Sequence, residues 1–75
     1  MPTEEVEIMR EMFCFLRDHN DPPANDSEEA KDYWMQTCKD MGATAERLKN
    51  HPLAITVLCA LSDYLEQKAR AKGAS

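Results

Sequence analysis

"NHPLAITVLCALSDYL" (residues 50–65) decides how this chain folds. Nine consecutive residues, Leu53 to Leu61, carry no charge, and Thr56 is their only hydroxyl. At about 100° per residue, Leu53, Val57, Ala60, Leu61 and Tyr64 share one helical face, with Leu58 and Leu65 beside it. Ile55 and Cys59 fall on the back, followed by Ser62 and Glu66. A surface helix of a small domain ordinarily shows a single apolar stripe. This run therefore predicts a helix with apolar residues left over after its own core is filled. Asn50 or His51 caps its start, and Pro52 suits its first turn. The helix is expected over 52–71. Lys68, Arg70 and Lys72 close it as a solvated basic end that complements the helix dipole, and residues 73–75 read as a frayed tail.

Working back from there, "KNHPL" separates this helix from a second periodic segment. Ala30, Tyr33, Trp34, Thr37, Cys38 and Met41 share a face, and Ala45 and Leu48 continue it in phase. One long helix over 27–49 is expected, with Gly42 tolerated inside at about 1 kcal/mol and a break at Gly42 as the alternative. Asp26 followed by Glu29 reads as its capping box. Before it, "HNDPPAND" carries two prolines that remove backbone donors and push their predecessors out of the helical region, giving a Pro-rich loop over 20–26. The first helix is expected over 4–19, with Thr3 as cap and Glu4, Glu5 and Glu7 in the positive first turn. Val6, Ile8, Met9, Met12, Phe13, Phe15 and Leu16 fill one half of its wheel, an unusually wide apolar face.

The fold class that follows is all-α: one domain over residues 1–75, a small antiparallel three-helix bundle with helices at about 4–19, 27–49 and 52–71. A chain of 75 residues buries only roughly 60% of its unfolded surface and is marginal without added support. Disulfides are not the expected support. Cys14, Cys38 and Cys59 are odd in number and unpaired in spacing, and the acidic start "MPTEEVEIMRE" is unlike a secretory signal. The cysteines read as reduced and packed in a cytoplasmic protein, with Cys59 as the exception to watch. No apolar run approaches the roughly 20 residues that span a bilayer.

The net charge of −5 is uneven, with −7 over residues 1–32 and +2 over residues 33–75. That balance excludes nucleic-acid binding dominated by phosphate contacts. Chemistry is equally sparse. Asp18, Asn20, Asp26 and Glu29 match positions 1, 3, 9 and 12 of a calcium-binding loop, but Pro22 and Pro23 occupy the positions that need an oxygen ligand and a glycine. His19 and His51 lie at helix ends without the paired spacing of a zinc site. There is no nucleophile elbow and no glycine-rich phosphate loop. No catalytic residue, cofactor or metal is expected, and no enzyme.

The pattern "DYW" (32–34), "NHPLA" (50–54) and Ala60, Leu61, Asp63, Tyr64, Leu65, Glu66 and Lys68 resembles a group of small, functionally uncharacterised proteins of Gram-positive gut bacteria and their prophages. The resemblance covers roughly residues 30–70. It implies a cytoplasmic, mobile-element setting and brings no site residue with it.

What remains is surface. Met9, Met12, Phe13 and Phe15 read either as an adaptable partner groove or as ordinary core. Ile8, Phe15, Ile55 and Cys59 are the expected interface of a homodimer, since monomers rarely leave such a patch uncovered. The expected function is a non-enzymatic helical protein–protein interaction module, homodimeric. The alternative is an acidic inhibitor or regulator, encoded by a phage or mobile element, that binds a host protein.

Overall fold

The computed structural model describes residues 3–73, and among them the backbone forms three helices and no strand. They are α1 (Glu4–His19), α2 (Glu28–Arg47) and α3 (Pro52–Gly73). Glu4 lies near His51, and Asn20 is held by Lys68. So α1 and α3 run parallel with α2 antiparallel to both, in a body of 45 × 19 × 17 Å. No helix among the described residues is long and apolar enough to cross a membrane. The expected frayed tail lies partly outside the described residues: Gly73 still belongs to α3, and 74–75 are not described.

Local chemistry sets each boundary. Thr3 has extended backbone, and its hydroxyl accepts the Val6 N–H at 3.2 Å, opening α1 as expected. Ser27, not Asp26, takes the cap position of α2, and its hydroxyl donates to the Ala24 carbonyl at 2.6 Å. This shift of one residue puts the Asp26–Glu29 capping box out of phase. Gly42 sits inside a continuous α2, so the break does not occur.

The end of α2 falls short of residue 49 for a stereochemical reason. The Asn50 N–H reaches back to the Ala45 carbonyl at 2.8 Å, and the Lys49 N–H to the Glu46 carbonyl at 3.0 Å. These are the two bonds of a Schellman motif, with Lys49 at the left-handed position that glycine usually fills. Lys49 and Asn50 both have positive φ, 58° and 53°. His51 then begins α3: its Nδ1 accepts the Leu53 N–H at 3.1 Å while its carbonyl accepts Ile55 N–H at 3.1 Å.

The proline loop is not a free connector. Pro22 is fully buried. Lys68 Nζ donates to the Asn20 carbonyl and side-chain oxygens at 2.7 and 2.8 Å. Lys72 Nζ donates to Asp21 Oδ1 at 2.6 Å and to the Pro22 carbonyl. The Asn25 N–H bonds the Ala69 carbonyl. The basic end of α3, expected to be merely solvated, thus straps the loop down through Lys68 and Lys72, while Arg70 stays exposed. Asn20, counted above toward a calcium loop, gives its oxygen to an ammonium instead.

The core joins Ile8, Met12 and Phe15 of α1 to Ala54 and Leu58 of α3, with Met41, Ala45 and Leu48 of α2 packed against them. Further along α3, Leu65 and Ala69 are also buried. The phase of α3 therefore differs from expectation by about one residue, or 100°. Bulk misled the reading: the inner face is built on two alanines and two leucines, which let the helices approach closely. Leu53, Val57 and Leu61 flank that face half-buried, and Tyr64 and Ala60 are exposed. The cysteines are free, but the expected packing fails beyond Cys59. Cys14 is half-buried and Cys38 and Cys59 are exposed, because α2 turns Thr37 and Thr44 inward instead of Cys38.

Candidate interaction surface

The expected four-residue interface does not assemble. Ile8 and Phe15 are 2% and 5% exposed, inside the core. They lie on the strip of α1 between its two neighbours, and burial there uses them completely. Ile55 is 40% exposed and Cys59 is exposed, but both lie on the flank of α3 opposite Val57 and Leu61.

The surplus apolar surface lies elsewhere, along the seam between α1 and α3. Met9, Met12, Phe13, Leu16, Val57 and Leu61 line a groove of about 250 Å³ whose walls are almost wholly apolar. Phe13 stands at its edge, 68% exposed, and Val6 and Met9 are about half exposed on the same side of α1. The structure divides Met9, Met12, Phe13 and Phe15 between core and surface. Met12 and Phe15 are core, and Met9 and Phe13 are surface. Leu16, Val57 and Leu61 complete the face, with Val57 and Leu61 also packed against the core, and Val6 continues it along α1. The signal that could have found it is the spacing Val6, Met9, Phe13, Leu16, a second stripe beside the Ile8, Met12, Phe15 stripe.

The seam between α1 and α2 has the opposite character. A cleft of about 310 Å³ separates the two helices, with Cys14 and Thr44 in its walls. Two polar ties cross it, at points about 12 Å apart along α1. Arg47 donates to Glu11 at 2.6 Å. His19 Nε2 lies 2.8 Å from Asp40 Oδ2, and its Nδ1 lies 2.8 Å from the Phe15 carbonyl. The His19 ring stacks on Phe15 at 4.2 Å. Both groups facing the ring, the Phe15 carbonyl and the Asp40 carboxylate, are hydrogen-bond acceptors. The His19 hydrogen bond holds the Asp40 carboxyl below its ordinary value of 3.8. Tyr33 donates its hydroxyl to the His19 carbonyl at 2.6 Å, and burial pushes its phenol above the ordinary 10.0.

His51 is engaged differently. Its Nδ1 accepts a backbone N–H, so that nitrogen carries a lone pair, and the Nε2 proton faces Glu4 Oε2 at 3.9 Å. Each histidine is engaged at a helix end. Among the described residues no three His, Cys, Asp or Glu side chains converge as a metal site would require.

Fold and face together define a small all-α bundle with an uncovered apolar seam between α1 and α3. The chain matches no family model, no curated protein and no solved structure.

Proposed function

We propose that this chain is a non-enzymatic helical protein–protein interaction module that works through the groove between α1 and α3. The observation that carries the reading is the exposed Phe13 beside an apolar groove. A domain this small gains little from leaving Val6, Met9 and Phe13 exposed at one seam, and a contiguous apolar patch on a small protein marks a binding surface. The adaptable Met9 side chain suits a surface that packs against another helix. The cleft between α1 and α2 does not compete for this role, because its charged side chains are committed to each other.

A photo-crosslinking residue placed at position 13 tests the reading, with the same residue at Lys39 on the exposed side of α2 as control. Adducts in cells from position 13 and none from position 39 are expected. If position 13 gives no adduct, to any protein or to the chain itself, the groove is not a working surface and the reading falls.

A further inference from the structure

We propose that the occupant of the α1–α3 groove is a second copy of this chain, docked with the two α1 helices parallel. This rests on the reading of the groove as an interaction surface and adds the partner and its orientation.

The spacing of the exposed stripe on α1 is the starting point. Val6, Met9, Phe13 and Leu16 stand 3, 4 and 3 residues apart, the a and d positions of a coiled-coil heptad. The flanking positions then have definite assignments. Glu5 is a g position and Arg10 an e position. In a parallel pair, each g residue meets the e residue five places later on the partner. Glu5 of one copy therefore faces Arg10 of the other, and the two-fold axis makes the pair twice.

The same stripe argues against an antiparallel pair. A two-fold axis across the helices brings each flank against the same flank of the partner. Arg10 and Arg17 occupy one flank, so that arrangement sets arginines against arginines.

The charges in the monomer support the assignment. Glu11 is paired with Arg47, Arg17 with Asp18, and Asp21 with Lys72. Glu5 and Arg10 make no hydrogen bond or ion pair among the described residues. Among the described residues they are the exposed charges that flank the apolar stripe without a partner, and they are opposite in sign. The other acids of α1, namely Glu4, Glu7, Glu11 and Asp18, lie on the far side of the wheel. A helix with its side chains is roughly 10 Å across, about one screening length in physiological salt. The net charge of −5 therefore opposes this contact only weakly.

Steric fit points the same way. Phe13 projects beside a groove that its own neighbours form, so a two-fold pair lets each Phe13 enter the partner's groove. Val57 and Leu61 of each α3 then close over the partner's α1. The result is a four-helix core of two α1 and two α3 helices, with both α2 helices outside it.

Light scattering and sedimentation of the full chain, from micromolar to sub-millimolar concentration, form the first test. Wild type should reach twice 8.6 kDa, and Phe13→Ser should remain at 8.6 kDa with unchanged helical circular dichroism. Glu5→Arg should weaken association by roughly three- to tenfold, and Glu5→Arg/Arg10→Glu should restore it. Orientation is read from Val6→Cys in a background with Cys14, Cys38 and Cys59 replaced by serine. Parallel helices place the two new thiols together, so oxidation should give a disulfide-linked dimer.

A wild-type monomer at every concentration overturns the proposal. If position 13 still crosslinks to another protein in cells, the interaction-module reading survives and only the second copy is wrong. A dimer in which the double swap does not restore association, or in which Val6→Cys fails to crosslink, overturns the parallel arrangement.

Discussion

The two seams of α1 are built from different materials. Toward α3, α1 presents Ile8, Met12 and Phe15, and α3 answers with Ala54 and Leu58. Toward α2 it presents Glu11 and His19, and α2 answers with Arg47 and Asp40. The fully buried residues of α2 are Ala30, Thr37 and Thr44, none of them a large apolar side chain. The difference is a matter of magnitude. Burying one leucine or phenylalanine contributes about 1.5–3 kcal/mol, whereas an exposed ion pair contributes about 0–1 kcal/mol. The α1–α3 pair is the stable unit of this molecule, and α2 is attached to it through Met41, Ala45 and Leu48 with three polar ties along the open side.

The largest effect should come from cutting the apolar seam. Leu58 is buried at the centre of the α1–α3 contact. Leu58→Ala should cost about 2–4 kcal/mol, the usual range for a leucine truncated in a core. In a domain of this size that is a large fraction of the whole stability. A melt followed by circular dichroism should show a loss of well over ten degrees or no cooperative transition. A loss of only a degree or two would mean that α3 does not pack in this phase.

Next in size is a gain, and it lies in α2. Because α2 buries so little bulk, its own helical propensity is a substantial part of what keeps it formed. Gly42 lies in its interior, and a Cβ placed there meets nothing within 4 Å. Gly42→Ala should stabilise the domain by about 0.5–1 kcal/mol. The same thermal melt measures it, and a destabilised variant would mean that another surface covers Gly42.

How much of this was legible in the sequence follows from the same contrast. Helix positions were legible because punctuation is local: Thr3, the proline loop and "NHP" act within a few residues of where they sit. The end of α2 was not, because Lys49 in a left-handed conformation has no sequence signature. The inner face of α3 was also hidden. Where a helix is apolar nearly all round, periodicity cannot choose a phase, and the choice falls to close approach through Ala54 and Ala69. The candidate face failed for that reason. Ile8 and Phe15 were set apart from Val6 and Phe13 only by where α2 and α3 dock, a tertiary fact. The two stripes themselves, one beside the other on α1, were readable.

The polar seam should respond weakly, and with a pH signature. The His19 hydrogen bond lowers the Asp40 carboxyl in the folded state. A depressed carboxyl contributes stability that is present above its unfolded value, near 3.8, and lost as pH falls through the lower folded value. Asp40 is more than a third exposed, so solvent screening reduces the contribution. Asp40→Asn should cost about half a kcal/mol at neutral pH. Urea titrations of both proteins at neutral pH and well below pH 3.8 should show the difference shrinking toward zero in acid. A difference that persists there would assign the loss to packing rather than to charge.

The smallest effect separates the flanks of α3. Ile55 is 40% exposed on the side away from the groove and lies in the first turns of the helix. An aspartate there gives up some partly buried apolar area and gains a favourable interaction with the positive end of the helix dipole. The two terms are of similar size, so Ile55→Asp should change stability by no more than about 0.5 kcal/mol. Phe13→Ser, on the other flank, should be similarly benign for folding, since Phe13 is the more exposed of the two. Sizing then tells the flanks apart, because only the substitution beside the groove should abolish self-association. If Ile55→Asp also yields a monomer, the working surface wraps around α3. If it unfolds the chain as Leu58→Ala does, the flank carrying Ile55 is packed against α2 and the contrast between the two seams is smaller than the geometry implies.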